Sequence, residues 1–217
     1  MSNNYCIIMA GGIGSRFWPL SRKSKPKQFL DIMGTGRTLL QQAFDRFSKI
    51  IPKENFYIVT SSDYVSLVKE QLPEIGSYQV LSEPLRRNTA PCVAYAANKI
   101  KTINPKANLI VAPSDHLILK EDEFLNQINT GLDYVASRKV LLTLGIHPSR
   151  PETGYGYIQT GEQVKFKETG NLFHVKTFTE KPDLKMAEVF LQSGEFYWNS
   201  GIFLWSLPSF LTALETH

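Results

Sequence analysis

The chain has 217 residues, 42% of them apolar and 20% charged, with a formal net charge of +4. That length and apolar content suit one large domain with an ample core. The mild charge argues against nucleic acid as a partner and suits small anionic substrates, and no apolar run approaches the roughly 18 residues of a membrane span or resembles a secretory signal.

The first apolar run, residues 5–10, reads as a buried strand. It leads into Met9-Ala10-Gly11-Gly12-Ile13-Gly14-Ser15-Arg16, in which three glycines fall within four positions. Without a Cβ, such a loop lets backbone N–H groups approach a ligand closely. Five cations follow within a short span: Arg16, Arg22, Lys23, Lys25 and Lys27. A strand, a bare backbone loop and a cation cluster together suggest a cradle for a polyphosphate. Neither common glycine loop fits. A dinucleotide fingerprint would need a third glycine at Phe17, and a Walker loop needs a Gly-Lys pair, which the chain lacks.

Thr38-Leu39-Leu40-Gln41 is a capping box. Leu40, Ala43, Phe44, Phe47 and Ile50 then recur at helical spacing up to Pro52. Residues 56–60 read as a second strand, and Ser61 or Ser62 caps a helix with Tyr64, Leu67, Val68 and Leu72 on its apolar face. A strand over 78–81, a small-residue helix over 90–100 and a strand over 109–112 follow. A helix over 122–137 and a strand over 140–146 complete this part. Strands alternating with helices over short links predict a parallel sheet covered on both faces. In such a sheet ligands bind beyond the carboxyl ends of the strands. The glycine loop, residues 83–89 and Ser114-Asp115-His116 all fall there. Beyond residue 150 the pattern turns loop-rich and more antiparallel, with strands over 154–159, 173–180 and 199–205 and a helix over 183–192. The whole of 1–217 reads as one domain in two segments. Cys6 and Cys92, with no C-x-x-C pair and no Cys/His cluster at zinc spacing, read as buried free thiols in a reducing compartment, so a cytoplasmic setting is expected.

Gly11-Gly12-Ile13-Gly14-Ser15-Arg16, Pro19-Leu20-Ser21 and Pro26-Lys27-Gln28 together resemble the sugar-1-phosphate nucleotidyltransferases. Five later segments narrow the resemblance to the mannose-1-phosphate guanylyltransferases. They are Glu83-Pro84 with Arg87-Asn88-Thr89-Ala90-Pro91, Pro113-Ser114-Asp115-His116, Thr153-Gly154-Tyr155-Gly156-Tyr157-Ile158, Glu180-Lys181-Pro182 and Asn199-Ser200-Gly201-Ile202-Phe203. The motifs keep the family's order over nearly the whole chain. The resemblance implies a Rossmann-like three-layer α/β/α nucleotidyltransferase fold with a sugar-binding portion. It also implies attack of a mannose 1-phosphate oxygen on the α-phosphorus of GTP, giving GDP-mannose and pyrophosphate. Two alternatives stay open: another hexose 1-phosphate or nucleoside triphosphate, and a nucleotide-sugar-binding homologue without turnover. A homo-oligomer is compatible with the sequence. Members of the family normally continue beyond the point where this chain stops, and a second metal-binding aspartate lies in that later region.

The same resemblance assigns roles. Such a displacement needs positioning and charge stabilisation and no protein nucleophile, in keeping with the lack of any Ser-His or Cys-His arrangement. Arg16 would bridge the phosphates and Lys27 would act on the α-phosphate or the attacking phosphate. Gly11, Gly12, Gly14 and Ser15 would line the nucleotide, and Asp115 would hold Mg²⁺. Glu83 at the base position favours guanine, whose N1–H and exocyclic amine a carboxylate can accept together. Asn88 and Thr89 would contact base or ribose, although Thr89 could equally cap the following helix. Gly154, Tyr155, Glu180, Lys181 and Asn199 would take the sugar phosphate. Arg22 and Lys23 fit ordinary solvated cations, and His116 fits a structural role. Tyr157, Phe178, Trp198 and Phe203 fit packing.

Overall fold

In the computed structural model, which describes residues 2–12, 14, 17–83, 89–167 and 171–216, the chain forms two compact units. The first comprises 1–142 and 203–217, the second 143–202.

In the first unit β1 (Asn4–Met9), β2 (Phe56–Ser61), β3 (Val80–Glu83) and β4 (Asn108–Pro113) run parallel in the order β3-β2-β1-β4. The carboxyl-terminal part of β8 (Phe196–Ser206) joins β4 antiparallel, with Val111 opposite Phe203. The register is fixed by apolar side chains on both faces, as a covered parallel sheet requires. Tyr5, Ile7, Tyr57, Val59, Leu109 and Val111 pack under α3 (Thr89–Lys101) and α6 (Leu207–Thr216). The alternate residues Cys6, Ile8, Phe56 and Ile58 are equally buried. There Phe44 of α1 (Leu39–Ser48) lies 4.7 Å from the Phe56 ring, and Phe47 lies 5.8 Å from Phe124 of α4 (Glu121–Ala136). Helices on both faces make the expected layers, and the chain returns between parallel strands through α1, α2 (Val65–Gln71) and α3.

Local signals set the boundaries. The Thr38 hydroxyl accepts from Gln41 N–H while the Gln41 side chain accepts from Thr38 N–H, so the capping box is formed. Several boundaries differ from expectation: the strand read over 154–159 is formed by Gly156–Gln163, and the one read over 199–205 begins already at Phe196. Residues 77–79 form a 3₁₀ turn, with Tyr78 64% exposed, and β3 begins only at Val80. The cause is Gln79: its side chain binds Gly76 N–H, Lys53 O and Phe56 O, which holds the turn closed. The helix after β2 starts with a 3₁₀ turn at Ser62–Tyr64, with the Ser61 hydroxyl accepting from Asp63 N–H.

In the second unit β6 (Gly156–Gln163) lies between β7 (Phe173–Glu180) and the first half of β8, antiparallel to both. The carboxyl-terminal part of β5 (Leu141–Ile146) also belongs here. The core is Tyr157, Trp198 and the Ala187 and Phe190 face of α5 (Leu184–Ser193). Asp183 caps α5 and Gly194, at φ 71°, ends it. Phe178, expected to pack, is 56% exposed. The reason is its strand: β7 lies at one end of the strand order, pairs among the described residues with β6 alone, and has none of its residues buried.

Candidate active site

Within the first unit, parallel pairing brings four strand ends to one edge. Met9 stands opposite both Val59 and Pro113, and Ser61 stands opposite Glu83. Ser114 N–H then donates to Met9 O at 3.1 Å, which carries Asp115 beside the start of the glycine loop.

That loop is tied from below. Ala10 N–H donates to Val59 O, and Ala10 O accepts from the Thr60 hydroxyl at 2.8 Å and from Gln28 Nε2 at 3.0 Å. Gln28 Nε2 also donates to Gly12 O at 2.9 Å. Gly14 has φ 66°, and a Cβ there would stand 2.5 Å from Ser21 Oγ, 3.0 Å from Lys27 Cγ and 3.2 Å from Lys27 N. Only glycine fits both that backbone and that gap. Ser15 and Arg16, expected in the phosphate grip, lie outside the described residues, as does Asn88.

Lys27 opens a 3₁₀ turn, Lys27–Phe29. Gln28 and Phe29 are buried, the latter 5.7 Å from the Tyr64 ring, so the turn leaves Lys27 directed out of the core. Its Nζ lies 2.5 Å from Asp115 Oδ2 and 5.4 Å from the centre of the Phe17 ring. The two charged side chains are 26% and 22% exposed. Asp115 therefore already carries a cation. Among the described residues there is no group of three or more His, Cys, Asp or Glu side chains to enclose a metal. A single hard carboxylate still fits magnesium, which commonly binds one or two carboxylates and completes its shell with substrate phosphates and water.

Burial raises the pKa of Glu83, whose Oε2 lies 3.8 Å from the point where a Cβ would stand on Gly11. On α3, burial and then the Glu83 charge push the Cys92 thiol up to about 12. Thr89 is the first residue of that helix and is exposed. Burial depresses the pKa of His116; Asp115 opposes this while Lys27 and Arg46 reinforce it, so the ring is held neutral. Gly11, Gly14, Lys27, Glu83 and Asp115 thus come together, and Gly12 extends the same loop.

Sequence reasoning missed a buried cation beside them. Arg46 on α1 is 2% exposed and its Nε donates to Glu121 Oε1 at 3.0 Å, while Lys49 holds Oε2 at 2.7 Å. Helical periodicity marks Arg46 as inward only once Phe47 and Ala43 are placed, and nothing local reveals its partner 75 residues on.

The second unit has its own polar edge. Gly156 pairs with Glu180 across β6 and β7. A Cβ on Gly156 would stand 2.9 Å from Glu180 Oε2 and 3.6 Å from Asn199 Cβ, so Glu180 and Asn199 flank this glycine. Gly154, the expected close-approach residue, instead donates its N–H to Glu152 Oε1 at 3.1 Å. Lys181 adopts φ 44° and pairs with Glu180 at 2.6 Å, and Asn199 Oδ1 accepts from Gly201 N–H. Tyr155, 42% exposed, sets its ring edge-on to Trp198 at 5.3 Å.

A family model described as nucleotidyl transferase matches residues 5–217. A mannose-1-phosphate guanylyltransferase of Salmonella montevideo is 41% identical over 194 residues, 88% of this chain and 40% of the relative. A putative mannose-1-phosphate guanylyltransferase of Vibrio cholerae is 39% identical over 97% of this chain and 44% of its own length. The chain thus spans less than half the length of these curated relatives. A crystal structure from Thermus thermophilus, of a protein described as a mannose-1-phosphate geranyltransferase, superposes with a TM-score of 0.87 at 30% identity. It covers 99% of this chain and 61% of that one.

Proposed function

The chain belongs to the nucleotidyl transferase family, and from that membership we propose that it transfers a guanylyl group from GTP to α-D-mannose 1-phosphate, giving GDP-mannose and pyrophosphate. The observation that carries the reading is the Lys27–Asp115 pair beside Gly14 at the carboxyl ends of β1 and β4. The names of the relatives supply the substrates. Residues 1–217 are taken as a nucleotidyltransferase catalytic domain in a cytoplasmic setting, where the buried thiols stay reduced.

A phosphate oxygen of mannose 1-phosphate forms the new bond to the α-phosphorus of GTP. The bond from that phosphorus to the bridging oxygen breaks, and pyrophosphate leaves. The chemistry asks for charge stabilisation and alignment. Lys27 gives a point charge against the α-phosphate, and Arg16 a planar fork between phosphates. Backbone of Gly11, Gly12, Gly14 and Ser15 lines the triphosphate. Asp115 would hold Mg²⁺, a Lewis acid that neutralises phosphate charge when bound. Glu83, ionised, accepts from guanine N1–H and the exocyclic amine, while Asn88 and Thr89 reach base or ribose. In the second unit Glu180 binds paired sugar hydroxyls, Lys181 the sugar phosphate, and Gly154, Tyr155 and Asn199 the rest of the sugar.

Pyrophosphate release with mannose 1-phosphate and Mg²⁺ tests this, run in parallel with GTP, UTP and dTTP. Turnover with GTP far above the pyrimidine nucleotides is expected, because a uracil or thymine N–H is flanked by carbonyls that repel Glu83. Equal rates would refute the guanine assignment, and no release with any of the three would refute the transfer.

A further inference from the structure

We propose that Gln28 is a positioning residue. Its carboxamide holds the glycine loop in the conformation that faces the triphosphate and locks that loop to the turn bearing Lys27. This rests on the reading of the loop as a phosphate cradle.

Gln28 is 1% exposed and spends its side-chain NH₂ on two backbone oxygens, Ala10 O at 3.0 Å and Gly12 O at 2.9 Å. An amide nitrogen has two protons to give, so one group anchors the chain on both sides of Gly11. The peptide unit is planar and trans, with C=O and N–H on opposite sides. Drawing Ala10 O inward therefore turns Gly11 N–H the other way. Thr60 shares the load at Ala10 O. Among the described residues neither Gly11 nor Gly12 N–H has an acceptor, which is the state a cradle needs before its ligand arrives. Glycine peptides left untied would sample many conformations. The anchor also follows Lys27 directly in sequence. Gly14 leaves no room for a Cβ beside Lys27 N and Cγ, so the loop and the turn touch at a second point. Gln28 and Gly14 together fix the separation between loop backbone and ammonium, a geometric demand of a displacement that relies on alignment.

The test uses the whole chain with Gln28→Met, which keeps shape and removes the donors, and Gln28→Glu, which sets acceptors against acceptors. Two readouts are taken: backbone order parameters of Gly11 and Gly12 in the ligand-free protein, and KM for GTP beside KM for mannose 1-phosphate. In both variants we expect the loop order parameters to drop from about 0.85 to below about 0.6 while β1 and β2 keep theirs. KM for GTP should rise about tenfold or more, with that for mannose 1-phosphate unchanged within about twofold. The proposal is overturned if the loop stays rigid, if KM for GTP does not move, or if both KM values and the order of β1 and β2 worsen together. Failure of both variants to fold would also overturn it, assigning Gln28 to the fold alone. Should the wild-type chain show no GTP turnover, the functional reading fails while the order parameters still decide the role of Gln28.

Discussion

Gly14→Ala measures how tightly the glycine loop is built. At φ 66° an alanine pays a left-handed penalty of about 1–2 kcal/mol. Its methyl would also stand 2.5 Å from Ser21 Oγ and 3.2 Å from the Lys27 backbone nitrogen. Ser21 is 2% exposed and cannot swing into solvent, so overpacking adds about 1–3 kcal/mol. The stiffer unfolded chain returns about 0.4–1 kcal/mol. The net is a destabilisation of about 1–4.5 kcal/mol, or roughly 2–18 °C in melting temperature for a chain of this size. Gly36→Ala supplies the control: φ is 79°, but nothing lies within 4 Å of the added carbon, so the backbone penalty of about 1–2 kcal/mol, less the same unfolded-chain return of about 0.4–1 kcal/mol, applies without the overpacking. Gly12 has open space and no positive φ. Gly12→Ala should therefore be as stable as wild type or up to about 1 kcal/mol more stable, and weaken only triphosphate binding. Denaturant melts of the three variants give the ranking. If Gly14→Ala is no less stable than Gly36→Ala, the close packing of loop on Lys27 is refuted.

Lys27→Met should lower pyrophosphate release about 10²–10³-fold and leave the melting temperature within a few degrees, because a partly exposed ion pair is worth about 1 kcal/mol or less; a near-wild-type rate would remove Lys27 from the chemistry. Glu83 has a folded pKa above its ordinary 4.5, so kcat/KM for GTP should fall as pH drops through that raised value, and Glu83→Gln should lack this acid limb. The linkage has the opposite sense for stability. A raised folded pKa contributes below about pH 4.5 and is lost as pH rises through the folded value, so denaturant melts should show Glu83→Gln gaining on wild type between pH 4 and pH 7. Glu121→Ala strands the buried Arg46 and should cost about 3 kcal/mol, whereas Lys49→Ala, at the exposed side of the same carboxylate, should cost under about 1 kcal/mol; equal losses in denaturant melts would contradict that difference in burial.

The layered fold was legible because it follows from periodicity. Runs such as residues 5–10 and 109–112 can only be covered strands, and the helices between them carry one apolar face each. What escaped was set by tertiary partners. Tyr78 looks like a strand residue until Gln79 closes a turn beneath it. Phe178 looks like core until β7 proves to lie at one end of the strand order. Within the candidate site, the pairing of strand ends accounts for Glu83 and Asp115 lying near the glycine loop. The sequence could not say which glycine of the 154–156 segment meets Glu180, since that depends on the β6–β7 register. Nor could it show that Gln28, an unremarkable polar residue in a motif, reaches back 16 and 18 positions to backbone.

The two thiols have a practical corollary. Burial pushes the Cys6 pKa up, and that of Cys92 stands near 12; both residues are buried and these are the chain's two cysteines. Neither yields appreciable thiolate at neutral pH, so maleimide or iodoacetamide should leave the native protein unmodified. A cysteine introduced at an exposed position, such as Glu162, would then accept a fluorophore or spin label as the single reactive handle, with no need to delete the natural pair first.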